Sequence, residues 1–283
     1  MAQPPRQQIR PARQPGNQPQ MRTPIRLKAD TLDKDIARFS HKKLRQTVFL
    51  NSIPKSGSHL LKNVMRMFVS VEDTYGKHFI QWGNLREHLS AFDPRRPQMS
   101  WGHLMFTDAS AVETAHARKI ILVRDPYSWV LARARFYVSD QFGDNSTLIK
   151  KSGMSAEHLI NLMIFGIHQQ ALPMRELYQL TAIAWRGPNA TWVKFEDLLA
   201  AVRNLDTPGA EAFFTRLLDL AGLGPLPDDW RERVRIGADP KQSGTAQENL
   251  KNVAIEVPKV LSDEHKELVD YAAPGMRKLL GYE

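Results

Sequence analysis

The chain has 283 residues, of which 39 are Lys or Arg and 30 are Asp or Glu, giving a formal net charge of +9; it contains no cysteine. The lack of cysteine excludes disulfide scaffolds, thiol catalysis and Cys-ligated zinc. The basic excess suggests a polyanion binder until it is mapped: residues 1–46 hold eleven basic and three acidic residues, whereas the remaining 237 hold 28 and 27. The charge therefore belongs to the first part of the chain and says little about the rest.

Residues 1–28 contain six Pro, six Gln, six basic residues and no acidic one. Such a composition buries too little apolar surface to offset the entropy of ordering, and it predicts a disordered basic tail over 1–45 ahead of a single domain over 46–283. The prolines argue against the amphipathic helix of an organelle transit peptide. No run approaches about 18 apolar residues, so no membrane-spanning helix is predicted. No apolar stretch near the start marks a secretory signal, and a cytoplasmic protein is expected.

From residue 46 short apolar strands alternate with helical periods. Thr47–Asn51 reads as a strand that ends in a turn at Pro54 and Gly57, and Leu60, Leu61, Val64, Met65 and Phe68 then recur at helical spacing. Further strands are predicted over Met99–Phe106, Lys119–Val123 and Thr191–Phe195. Helices are predicted over Ala109–Ala117, Tyr127–Val138, Ser155–Leu180, Leu198–Asn204, Glu211–Ala221 and Asp263–Leu280. Continuous apolar strands separated by helices indicate an α/β domain whose central parallel sheet is covered on both faces. Ligands of such sheets bind beyond the carboxyl ends of the strands.

The segment Pro54-Lys55-Ser56-Gly57-Ser58-His59 joins the first strand to a helix. A small, hydroxyl-rich turn there leaves backbone N–H groups unpaired at the positive end of the helix, which makes an anion site. Lys55 adds a cation, Ser56 and Ser58 add hydroxyl donors, and Gly57 allows close approach of the backbone. The triphosphate signature GxxxxGK[ST] is absent, because Lys55 precedes Gly57 instead of following it.

In its strand-loop-helix setting this segment resembles the 5'-phosphosulfate loop of sulfotransferases that use 3'-phosphoadenosine 5'-phosphosulfate (PAPS). Ser100-Trp101-Gly102-His103-Leu104 is similar to the family strand that carries a catalytic His. Ile121-Leu122-Val123-Arg124-Asp125-Pro126 resembles its 3'-phosphate turn. Thr191–Leu198 resembles a later strand ending in aromatic-Glu-Asp-Leu, and Leu279-Leu280-Gly281-Tyr282 resembles the usual end of the domain. The likeness spans about residues 46–283 in chain order and implies a P-loop-kinase-like sulfotransferase fold.

The resemblance implies transfer of a sulfuryl group from PAPS, needing no metal, to a hydroxyl or amine of a small-molecule or glycan acceptor. It assigns His103 as general base and Lys55 as stabiliser of the leaving phosphate. Cofactor contacts fall on Lys55, Ser56, Gly57, Ser58, His59, Arg124, Ser128, Phe195, Lys241 and Gly244. A His titrates near neutrality, and a fixed cation acts where charge develops on a leaving group.

Departures from the pattern bear on the nucleotide. Ala132 stands where the family places a Ser, which leaves Ser128, Arg133 or Arg135 as partners for the 3'-phosphate. Leu60 replaces an aromatic that packs on adenine, so Phe195 becomes the ring candidate. The late Arg-Lys-Gly element survives only as Lys241 and Gly244. Acceptor recognition is expected from residues 72–97 and 139–154. Other readings stay open: a nucleotide-dependent phosphotransferase of similar architecture, a polyanion binder acting through the basic tail, and a nucleotide binder without turnover. Specific nucleic-acid recognition is not expected of the domain.

Overall fold

A computed structural model describes residues 30–75, 79–141, 147–243 and 255–282. The 1–28 tail and Gly244 lie outside the described residues. Five parallel strands form the sheet: β1 (Val48–Ser52), β2 (Ile80–Gln81), β3 (Met99–His103), β4 (Arg118–Val123) and β5 (Ala190–Lys194), in spatial order β2-β3-β1-β4-β5.

Both faces of the sheet are buried, and the strand sequences show why. Side chains alternate across a strand, so a continuous apolar run feeds two cores at once. Val48 and Leu50 of β1, with Ile120 and Leu122 of β4, enter one core; Phe49, Ile121 and Val123 enter the other. The first core is closed by α2 (Ser58–Arg66), α9 (Pro208–Ala221) and α10 (Trp230–Ala238) through Val64, Phe214 and Trp230. The second is closed by α4 (Pro126–Tyr137), α6 (Ala156–Phe165), α7 (Met174–Thr181) and α11 (Asp263–Ala272), through Trp129, Leu159, Tyr178 and Val269.

Two long predicted helices are broken. The apolar period across Ser155–Leu180 is carried by α6 and α7, because Gly166 turns at φ +86° and a Cβ there would lie 2.7 Å from the Ala171 carbonyl oxygen. The period across Asp263–Leu280 is likewise split into α11 and α12 (Met276–Leu279) around Gly275 at φ +70°. The strand predicted to run to Phe106 ends at His103, and Phe195 opens α8 (Phe195–Arg203) instead of closing β5.

The packed chain also starts earlier than composition suggests. Residues 30–45, assigned to the basic tail by charge, include α1 (Leu32–Ile36), and Leu32, Ile36 and Leu44 are buried in the first core. Arg66 of α2 donates to both Asp30 and Asp33, so these acidic residues tie the segment down.

The chain leaves β1 for strands on opposite sides, β3 on one and β4 on the other. That reversal is a topological switch point, and ligands of open α/β sheets bind beyond the carboxyl ends of the strands at such a point.

Candidate functional site

The loop after β1 is a tight turn in which Ser56 N–H donates to the Ile53 carbonyl at 3.1 Å. Two of its residues are left-handed, Lys55 at φ +69° and Gly57 at φ +89°. For Gly57 no other residue fits, since a Cβ would lie 2.4 Å from the Phe195 ring. For Lys55 the conformation is costly, of order 1–3 kcal/mol, and holds only because neighbours fix the loop. The fully buried Trp129 donates its indole N–H to the Pro54 carbonyl at 2.5 Å, and Arg124 Nη1 donates to the Lys55 carbonyl at 3.3 Å.

Several donors of this turn have no partner among the described residues. Helix α2 begins with Leu60 and Leu61 donating to the Gly57 carbonyl, so the amides of Gly57, Ser58 and His59 precede the first helical bonds. Ser56 is wholly buried, and its hydroxyl has no hydrogen-bond partner among the described residues. The Lys55 ammonium rests on the face of Phe136, 3.0 Å from the ring centroid. Burial lowers its pKa to about 7.

His103 closes β3 beside the loop. Its Nδ1 lies 2.8 Å from the Ser52 carbonyl oxygen. A carbonyl only accepts, so Nδ1 carries the proton and Nε2 keeps its lone pair. Ser52 at the end of β1 also places its hydroxyl 3.1 Å from the same Nδ1 and 2.7 Å from Ser58 Oγ, which joins the imidazole to the first turn of α2. The fully buried Asn51 fixes the backbone after the imidazole: its side chain receives the Leu104 N–H and donates to the carbonyls of Leu104 and Thr181. Phe79 sets its ring edge-on to His103 at 4.8 Å. Burial, aided by the Lys55 charge, lowers the His103 pKa to about 4. His59 packs edge-on to Trp101 and falls to about 3, from burial first and then the Lys62 and Lys55 charges. Both imidazoles are neutral at pH 7.

On the other side of β1, Arg124 leaves β4. Its Nε donates to Ser128 Oγ at 2.9 Å, and the guanidinium lies over the Phe195 ring at 4.5 Å. Phe195 is therefore sandwiched between Gly57 and Arg124 and supports both. Glu196, the next residue, accepts from the Asp125 N–H, the Ser128 hydroxyl and the Tyr282 hydroxyl. Asp125 in turn takes a bidentate pair from Arg277 at 3.0 and 3.1 Å.

The structure thus brings Lys55, Ser56, Gly57, Ser58, His59, His103, Arg124, Ser128 and Phe195 to the carboxyl ends of four adjacent strands. Lys241 is not among them: it lies exposed on a 3-10 turn, Pro240–Gln242, that docks on α1 and α2 through Gln242, and its described contacts do not reach the loop. Arg133 is buried and donates from its two Nη groups to the carbonyls of Met163 and Leu172. Arg135 donates to the Pro258 carbonyl. Sequence reasoning misses Ser52, Trp129 and Arg277; a hydroxyl residue closing a buried strand is the one local signal, at Ser52. Among the described residues no cluster of three His, Cys, Asp or Glu is placed to hold a metal ion, and no helix is long and apolar enough to cross a membrane.

No protein-family model matches the chain, and no curated protein does. Among solved structures, mouse sulfotransferase SULT7A1 complexed with PAP overlaps at 12% identity and a TM-score of 0.45, over 87% of this chain and 81% of that one. Retinol dehydratase in complex with androsterone and inactive cofactor PAP overlaps at 15% identity and a TM-score of 0.44, over 89% and 82%. Retinol dehydratase with retinol and PAP gives 12%, 0.45, 89% and 83%. At TM-scores under 0.5 these likenesses carry no weight beside the chain's own residues.

Proposed function

We propose that the protein transfers a sulfuryl group from PAPS to a hydroxyl or amine of a small-molecule or glycan acceptor. The observation that carries this reading is the placement of the loop after β1, His103 and Arg124 at neighbouring strand ends, with the loop's donors unspent. The buried Ser56 hydroxyl without a partner and the three amides ahead of α2 fit an oxyanion of a phosphosulfate.

PAPS would supply an activated sulfuryl group and a phosphate that leaves with the electron pair of the broken S–O bond. Lys55 and the amides of Gly57, Ser58 and His59 would stabilise the charge that grows on that phosphate. Lys55 titrates near neutrality without a ligand, and an adjacent phosphate restores its protonated form. His103 would take the acceptor's proton on Nε2 while the acceptor oxygen or nitrogen forms its bond to sulfur; the proton on Nδ1 stays with Ser52. Arg124, backed by Phe195 and held by Ser128, would bind the 3'-phosphate.

The test is transfer from PAPS to a panel of phenols, alcohols, amines and glycans, read as sulfated product and released 3'-phosphoadenosine 5'-phosphate (PAP). His103→Ala is expected to lower the rate on the order of 10²- to 10⁴-fold while PAP binding stays near wild type. Phosphorylated product from ATP, with none from PAPS, contradicts the assignment.

A further inference from the structure

Arg124 carries a charge that a nearby carboxylate would ordinarily take. Among the described residues none pairs with it: its guanidinium contacts Ser128 Oγ, the Lys55 carbonyl and the Phe195 ring. Glu196 is the acidic group whose field acts on it most strongly, yet the carboxylate is engaged elsewhere. Tyr282 OH donates to Glu196 Oε2 at 2.9 Å, and the Asp125 N–H and Ser128 hydroxyl donate to Oε1 at 3.1 and 3.3 Å. Tyr282 is held in turn. Arg277 donates to its carbonyl at 3.1 Å while pairing with Asp125, its guanidinium stacked 3.8 Å from the Tyr127 ring centroid. Lys194 lies over the Tyr282 ring at 4.8 Å and donates to the Gly281 carbonyl.

We infer that the segment Arg277–Tyr282 is a clasp that holds Glu196 away from Arg124, so that the guanidinium stays open to the 3'-phosphate of the nucleotide. The inference rests on the proposed function and names Tyr282 and Arg277 as positioning residues for that site. Burial and the Glu196 charge both raise the Tyr282 pKa, so its hydroxyl remains a donor throughout the working pH range. Without that donor Glu196 Oε2 has a free lone pair within the field of the Arg124 guanidinium, and the 3'-phosphate must then displace a carboxylate.

The experiment compares PAP with adenosine 5'-phosphate, which lacks only the 3'-phosphate, by calorimetric titration of the full chain. Wild type is expected to prefer PAP. Tyr282→Phe is expected to reduce that preference about tenfold through weaker PAP binding, with affinity for adenosine 5'-phosphate unchanged. Adding Glu196→Gln to Tyr282→Phe removes the competing charge and is expected to restore most of the preference. General loosening of the fold would weaken both nucleotides together, and Glu196→Gln would not repair it. If Tyr282→Phe fails to fold, Arg277→Lys gives the same comparison with the hydroxyl in place, and a smaller loss of preference is expected. A wild type that prefers PAP, with unchanged preference in the variants or no rescue by Glu196→Gln, overturns the clasp alone. A wild type that does not distinguish the nucleotides overturns the proposed function and the clasp with it.

Discussion

The turns on the two sides of β1 are built to opposite rules. After β4, almost every polar group is spent inside the protein: Asp125 pairs with Arg277, Glu196 accepts from three donors, and Ser128 bonds to both Arg124 and Glu196. After β1, the Ser56 hydroxyl has no partner among the described residues, three amides precede the first helical bond, and the Lys55 ammonium rests on an aromatic face. Both turns are mostly shielded from water, so the unspent donors cost the free protein stability that only an anionic ligand can return. The saturated turn is a frame that leaves only the Arg124 guanidinium without a carboxylate among the described residues; the unsaturated one keeps its own hydroxyl and amide donors for charge.

Substitution should separate the two. Glu196→Ala strips the saturated turn of its shared acceptor and leaves the Tyr282 hydroxyl and the Asp125 N–H unpaired. A loss of about 1–3 kcal/mol is expected in urea unfolding, ligand present or not. Ser56→Ala acts in the other direction. It deletes a buried hydroxyl without a partner, so the free protein is expected to gain about 1 kcal/mol while PAP affinity falls. If Ser56→Ala destabilises the free protein, its hydroxyl is not spare and the contrast between the turns fails.

A smaller effect concerns protons. Lys55 has a folded pKa near 7, depressed by burial from 10.5, so at pH 8 it is mostly neutral in the free protein. A phosphate beside it raises the pKa again, and binding at pH 8 should take up close to one proton, measurable by calorimetry in buffers of different ionisation heat. PAP affinity accordingly weakens as pH climbs from 7 toward 10.5. Lys55→Gln should abolish the uptake; unchanged uptake would mean that Lys55 does not meet the phosphate.

Much of the architecture is readable from residues adjacent in sequence. The runs Thr47–Asn51 and Lys119–Val123 announce buried parallel strands because consecutive apolar residues supply both faces, and the loop Pro54–His59 carries its chemistry in one turn. Arg277 cannot be placed that way: it sits 152 residues from Asp125, in a charged helical stretch, and only the fold brings them together. Strand β2 is two residues long and owes its existence to pairing with β3 rather than to its own pattern. Helix α10 escapes notice because Arg231, Glu232, Arg233 and Arg235 mask the apolar pair Trp230 and Val234, although Arg233 is itself buried and bonded to the carbonyls of Met67 and Ser40. The break at Gly166 is hidden by an apolar period that continues through Leu172 to Leu177 as if no turn intervened.

Which nucleotide the site accepts is the most direct question to put to the protein. Thermal unfolding of the full chain should be followed with PAP and, separately, with ATP plus magnesium at matched concentrations, since a ligand of the native state stabilises it by mass action. The unspent donors after β1 and the open guanidinium of Arg124 predict a clear rise in melting temperature with PAP, with a lesser rise or none for ATP plus magnesium. Stabilisation by ATP plus magnesium in preference to PAP, or by neither, would contradict the proposed function.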